Sequence, residues 1–417
     1  MEQIKDIFKQ VRQAKGSLAF CKEEIINDTL YALADRVEAA TDRILEENAK
    51  DLAAMDPSNP KYDRLKLTAE RIRAIAGGIR QVATLPSPSG RILNETVRPN
   101  GMKLTKVSVP FGVIGIIYEA RPNVTLDVFA LCFKSGNACI LKGGSDADFS
   151  NRILVEIIRN TLLDVAHLSP YLVALLPAGH DSADALLHAR GYVDLIIPRG
   201  GKGLIRACVE NASVPCIETG TGICHVYVDR DADLNMAVKI IENAKTSRPS
   251  VCNAEEVCLV HRDIAKEFLP KLKAALVDKR REAGLVPVEL RLDPAAARII
   301  DGTPAGERDF DTEFLDYILA VGVVDSVDAA IAHIAAHSTH HSDCIVTEDA
   351  AAAKKFTEQV DSAAVYVNVS TRFTDGGEFG LGCEMGISTQ KLHARGPMGL
   401  DELCTYKYVV RGSGQIR

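Results

Sequence analysis

No apolar stretch in these 417 residues approaches the roughly 20 needed to cross a bilayer, so no membrane partner is expected. The start, MEQIKDIFKQVRQAKG, reads as a charged amphipathic helix. It lacks the apolar core and small-residue cleavage site of a secretory signal, and a cytoplasmic protein is the expectation. An excess of positive charge is also missing. The formal net charge is -7, and Lys and Arg are interspersed with Asp and Glu rather than gathered in runs. Nothing of that kind would neutralise a phosphate backbone, so a nucleic-acid partner is not expected. The eleven cysteines form no C-x-x-C pair and no regular spacing. A disulfide framework or a zinc site is therefore not expected, and most of the thiols read as small buried hydrophobes in a reducing compartment. Internal repeats and low-complexity tracts are absent as well.

What is present is the composition of a soluble globular protein, with 47% hydrophobic and 25% charged residues. The length exceeds one ordinary core and predicts two or three domains. Apolar residues recur at three- and four-residue steps through Ile25–Leu45 and Leu65–Ile79, which predicts helices up to about residue 85. Leu85-Pro86-Ser87-Pro88-Ser89-Gly90 reads as a linker. Beyond it, short apolar runs predict strands at Val113–Ile117, Ala138–Leu141, Leu172–Leu176, Val193–Ile197 and Pro215–Glu218. Helical segments alternate with them at Leu126–Lys134, Asn151–Leu163, Ala183–Ala189 and Lys202–Glu210. Strands that are apolar throughout and alternate with helices predict an α/β fold with a parallel sheet covered on both faces. Such sheets bind ligands beyond the carboxyl ends of their strands. A second α/β block follows from about 230 to 360, with helices at Leu234–Lys245 and Val327–His337 and strands at Val257–His261, Ile318–Val324 and Cys344–Thr347. The tail ends in Thr405–Val410, which alternates like an edge strand.

Several residues stand where chemistry is commonly placed. Cys252 lies on the connection between a helix and a strand, near Lys245 and Arg248. Positive charge there would raise the thiolate fraction; the alternative is a buried structural thiol. Asn123 follows a strand's carboxyl end, as an oxyanion donor or as a helix N-cap. Lys142-Gly143-Gly144-Ser145 and Arg199-Gly200-Gly201-Lys202-Gly203 each follow a strand. Glycines let a backbone approach phosphates, and together the two segments suggest a nucleotide site at one sheet edge. Glu218 is expected at the end of an apolar strand, as a general base or as an ion-paired carboxylate. His333, His337, His340 and His341 are close in sequence and could bind zinc or cap helix ends.

Three stretches bring these pieces together: Val109 through Thr125 (VPFGVIGIIYEARPNVT), Ser247 through Ala254 (SRPSVCNA), and the histidine-bearing run from Val324 to Ile345. With them the chain resembles the aldehyde dehydrogenase superfamily over nearly everything after the helical start. It is most similar to the branch that reduces a glutamyl phosphate, whose signature the third stretch resembles; the zinc reading falls away. The resemblance implies a Rossmann-type cofactor domain, an α/β catalytic domain and a small β oligomerisation element. It divides the chain into a helical part of the cofactor domain at 1–90 and an NADP-binding domain at 91–228 with an oligomerisation hairpin near 92–109. The catalytic domain follows at 229–362, with a return to the cofactor domain and an oligomerisation strand at 363–417.

By resemblance Cys252 is the nucleophile and Asn123 an oxyanion donor beside that cysteine's own N–H. Glu218 matches the glutamate that activates water in oxidising members, although Thr219-Gly220-Thr221-Gly222 replaces the usual leucine-glycine-glycine-lysine beside it. Lys142, with Gly144 and Ser145, matches the adenosine-ribose site, and Glu313 the glutamate that grips the nicotinamide ribose. Ser145 replaces the glutamate of many NAD-using relatives, which removes repulsion toward a 2′-phosphate and favours NADPH. Arg199 and Gly200 are assigned to the cofactor, and Arg199 or Arg248 to a phosphate. Arg121 is assigned to the substrate carboxylate. Each of the three arginines is equally readable as a structural ion pair. The implied substrate is L-glutamyl 5-phosphate, reduced through a cysteine thioester on the route from glutamate to proline. The implied partners are glutamate 5-kinase and further copies of the chain, as a dimer or tetramer. The alternatives are an oxidative or CoA-acylating aldehyde dehydrogenase, and a nucleotide-binding protein without catalysis.

Overall fold

The computed structural model describes residues 2–57, 59 and 61–417. Its chain divides into two compact units. The first comprises Met1–Thr219, Gly380–Gly386 and Pro397–Arg417, and the second Gly220–Phe379 and Ile387–Gly396. The division thus falls at 219/220, where the family resemblance places it at 228/229.

The first unit opens with the helices Glu2–Ala14, Glu23–Ala39, Thr41–Ala53 and Ala69–Thr84. Thr68 caps the last of these by accepting from the Arg71 amide. Past the proline-rich linker the chain builds a four-stranded parallel sheet in the order Val173–Leu175, Ala138–Lys142, Val113–Tyr118, Leu195–Arg199. Every residue of the two central strands is buried, as a sheet with helices on both faces requires. Pro215–Glu218 does not extend this sheet as a strand. Pairing there is confined to a single bridge, with the Pro215 carbonyl and the Ile217 amide bonded to Ile196. Pro215 has no N–H to add to a ladder, and Glu218 is exposed beyond the bridge. A separate antiparallel sheet places Lys103–Pro110 between Ile92–Val97 and Cys404–Arg411, so the alternating tail is an edge strand as expected.

The second unit is a seven-stranded sheet in the order Thr303–Pro304, Glu289–Leu292, Ile318–Val324, Glu255–His261, Cys224–Val228, Ser342–Val346, Ala364–Val367. All its neighbours pair parallel. Val226 and Val228 join Phe268, Leu269 and Leu272 on one face, while Tyr227 turns to Leu259, Ile345 and Phe356 on the other. The alternation is the period-two geometry of a strand covered on both sides. Ile318–Val324 and Val327–His337 fall where the apolar pattern predicts them. Among the described residues no helix is long and apolar enough to cross a membrane.

Candidate active site

In the first unit the predicted site residues line the carboxyl edge of the parallel sheet. Pairing sets Lys142 opposite Ile117 and Arg199 opposite Tyr118, so both cations flank the central strand where it ends. Asn123 opens the helix Asn123–Lys134 that follows. It is not the N-cap. That position belongs to Pro122, which makes no side-chain cap, and the Asn123 amide donates to Asp127 Oδ2 at 2.9 Å, one turn on. A carboxylate can only accept, so this bond fixes which way the amide faces. Burial pushes Asp127 up to about 6, against the hydrogen bonds from Asn123 and Cys383.

Lys142 is buried, and burial lowers its pKa while Asp146 and Asp148 oppose the shift. Of its three ammonium protons, one goes to the Gly143 carbonyl at 2.8 Å. The glycines beside it are closely approached by side chains. A Cβ on Gly143 would lie 2.3 Å from Asn151 Nδ2, and one on Gly144 2.3 Å from Asp146 Oδ1. Asn151 is held by Thr125, which also bonds the Tyr118 hydroxyl. Ser145 begins a short turn that leads into the helix Asp148–Asp164. A cavity of about 400 Å³ lies along this helix, lined also by Leu175, Leu176 and Pro177 at the end of the neighbouring strand; the turn Lys142–Ser145 does not line it. A buried ammonium beside a backbone stripped of side chains suits a nucleotide's phosphate.

The second glycine turn is supplied with anions by the chain itself. Glu119 Oε2 accepts from the Gly201 amide at 3.4 Å, and its side chain would meet any Cβ on Gly200. Arg199 Nη1 lies 3.8 Å from Glu384. Both turns thus carry carboxylates of the chain's own, Asp146 and Asp148 near Lys142 and Glu119 at Gly200 and Gly201. Arg121 is half-buried just before Pro122, and its carbonyl accepts from the Val124 amide. Glu218 is exposed, outside any strand.

In the second unit Cys252 is half-exposed on the connection between the helix Leu234–Thr246 and the strand Glu255–His261. Its carbonyl is fixed from behind: Cys224 Sγ lies 3.2 Å from it as donor. Gly222 packs so closely that a Cβ there would fall 1.4 Å from the same oxygen. The Gly222 amide in turn donates to Glu313 Oε1 at 2.7 Å. Glu313 and Cys252 are therefore brought together through one glycine. The loop bearing Glu313 is tied down at both ends. Glu256 accepts from the Leu315 amide, and His337 pairs with Asp311 at 2.8 Å.

Lys245 does not serve the thiol. It is fully buried and paired with Glu256 at 2.6 Å; burial pushes Glu256 up to about 7 against the pull of that ammonium. The cation that sequence inspection misses is Arg372, which reaches the connection from a distant turn. Nothing local in sequence signals it. Arg248 is exposed on the connection itself. Of the four histidines, His333 packs on rings, against His225, Phe310 and His337. Burial drops His333 to about 3 and His341 to about 4, so both are neutral near pH 7.

Comparisons with known proteins give the family. Residues 2–285 match the model described as the aldehyde dehydrogenase family. A protein of Phocaeicola vulgatus named gamma-glutamyl phosphate reductase is 72% identical, covering 100% of both chains. A protein of the same name from Streptococcus pneumoniae is 58% identical over 98% of each. The crystal structure of gamma-glutamyl phosphate reductase from Thermotoga maritima superposes with a TM-score of 0.93 at 44% identity, covering 99% of each chain. The chain is an oxidoreductase of the kind that works with a nicotinamide cofactor, and it belongs to the aldehyde dehydrogenase family.

Proposed function

We propose that this chain reduces L-glutamyl 5-phosphate to L-glutamate 5-semialdehyde and phosphate, with NADPH as reductant and a thioester on Cys252 as intermediate. The observation that carries the reading is the connection at Cys252. Its carbonyl is locked by Gly222 and Cys224 while the side chain stays half-exposed, as a nucleophile requires. The names of the full-length relatives support the substrate.

The Cys252 thiolate attacks the acyl carbon, forming a C–S bond. The C–O bond to phosphate then breaks, and phosphate leaves with the electron pair. Such a leaving group demands oxyanion stabilisation more than a proton. Asn123 is the assigned side-chain donor: one amide proton is spent on Asp127, and the other is available. The reduced nicotinamide, when bound, supplies hydride to the thioester carbon. Collapse of the thiohemiacetal releases the aldehyde and restores the thiolate. No step uses a base to activate water, which fits an exposed Glu218.

The cofactor's phosphate is assigned to the turn Lys142–Ser145; Ser145 puts no carboxylate at that position, which favours NADPH. Arg199 and Gly200 border that edge, Glu313 is assigned to the nicotinamide ribose, and Arg121 to the substrate carboxylate. The antiparallel sheet, with Ile92, Val97, Tyr406, Tyr408 and Val410 exposed, is assigned to self-association.

The reverse reaction tests the reading. Incubated with glutamate 5-semialdehyde and NADP, the protein should produce NADPH in proportion to inorganic phosphate supplied. Production that requires CoA, or that ignores phosphate, would contradict it.

A further inference from the structure

One cation at the nucleophile's connection has no part in the chemistry above. Arg372 sits in the short turn Thr371–Phe373, far along the chain from Cys252. Its Nε donates to Ser247 Oγ at 3.1 Å, and its Nη1 donates to Asn253 Oδ1. Ser247 and Asn253 bracket the segment that carries Arg248 and Cys252. The link is made several times over. Asn253 Nδ2 donates to the carbonyls of Arg372 and Thr374, at 3.3 and 2.9 Å, and Thr371 Oγ1 donates to the Asn253 carbonyl at 2.8 Å. A single guanidinium thereby fastens both ends of the connection.

Its charge is as telling as its bonds. Arg372 is half-buried, and burial together with the positive charge of Arg248 lowers its pKa. Asp375 and Cys252 act in the opposite direction. Two guanidiniums that repel one another beside a thiol form a field suited to a compact dianion, and arginine is the side chain best matched to phosphate.

We propose that Arg372 and Arg248 form the receptor for the phosphoryl group of the acyl phosphate at Cys252, and that Arg372 also positions the connection. The inference rests on Cys252 being the nucleophile. When the C–O bond breaks, the departing electron pair settles on a phosphate already facing two cations, so the receptor stabilises the leaving group without supplying a proton. Arg372 is then a contributor to the site that lies beyond the nucleophile's own motif.

Inorganic phosphate is the probe. In the wild-type enzyme it should slow alkylation of Cys252 by neutral iodoacetamide, and R372M should weaken that protection about 10- to 100-fold. R248M should weaken it less, because that side chain is exposed and makes none of the fastening bonds. R372K keeps a charge but cannot reach both Ser247 and Asn253. It should retain part of the protection while losing kcat, and the pH midpoint of alkylation should rise in R372M more than in R372K. The inference is overturned if phosphate fails to protect the wild type. It is equally overturned if R372M, with an unchanged melting temperature, is protected as well as the wild type. If R372M does not fold, full protection and full kcat in R372K would overturn it instead. Turnover by C252A would sink the underlying covalent reading, a result separate from any loss of phosphate protection.

Discussion

The two units hold their functional groups in different ways. At the sheet edge of the first, Lys142 and Arg199 come directly off buried strands in register with a common neighbour. Their positions follow from the sheet, and the glycines after Lys142 merely keep its surroundings clear. In the second unit Cys252 sits on a connection with no ladder of its own. Its place is set by contacts from Gly222, Cys224 and the turn bearing Asn253, which Arg372 fastens. A site made by strand ends tolerates change in its neighbours. A site made by long-range side-chain and backbone contacts does not, and substitutions in the two regions should differ accordingly.

The sharpest test of that contrast is glycine replacement. Gly222→Ala would drive a methyl group into the Cys252 carbonyl, so the connection must retreat. Displacement of a reacting group by about 1 Å can cost 10²-fold, and kcat should fall by at least that much. Gly77→Ala is the control: it stands in the helix Ala69–Thr84 with open space around it, and activity should be unchanged. Equal losses in the two variants would erase the distinction.

At the sheet edge the expected change is one of preference. Ser145→Glu places a carboxylate where the cofactor's 2′-phosphate is assigned, and the ratio of kcat/KM for NADPH over NADH should drop about tenfold or more. An unchanged ratio would remove Ser145 from cofactor selection.

The core of the second unit should reveal itself through pH. Burial holds His341 near 4, opposed by Asp343, against an ordinary value of 6.5. Between those values the unfolded chain binds more protons than the folded one, so stability rises with pH. The contribution is complete above about pH 6.5 and shrinks as pH falls toward 4. At pH 5 it should cost about 2 kcal/mol, and His341→Gln should flatten that part of the slope in denaturant titrations. An unaltered slope would mean that His341 is not the group responsible.

Glu218→Gln should have the smallest effect, with the reductive rate falling less than about threefold. A base on the reaction path would contribute about 10²–10⁴-fold, so a collapse in rate would give Glu218 a duty that its exposed position does not suggest.

The same contrast explains what was legible in the sequence. Strands such as Val113–Tyr118 and Ile318–Val324 are unbroken apolar runs and reveal themselves. Cys224–Val228 does not, because His225 interrupts it at its second position. That histidine is buried, with its backbone amide bonded to Asp343, a partner 118 residues away. Lys245 looks like an activating charge beside Cys252 because sequence distance is the only distance available there; in the fold it is buried against Glu256. Arg372 escapes for the opposite reason, lying 119 residues from the asparagine it holds. Asn123 is a favoured helix-capping residue type, and only the fold shows that Pro122 holds the cap position while Asn123 bonds Asp127. Local pattern therefore yields the scaffold and marks Cys252 as a candidate, while the groups that hold its connection depend on which distant segments meet.

Capture of the acyl group by Cys252 is the central claim, and a rapid-mixing experiment without phosphate addresses it most directly. Glutamate 5-semialdehyde and NADP should give a burst of one NADPH per active site and then nearly stop. Hydride has then left the thiohemiacetal, but the resulting thioester has no acceptor. Adding inorganic phosphate should restart turnover, and C252A should show neither phase. Steady NADPH formation without phosphate, or a burst that survives in C252A, would contradict the account.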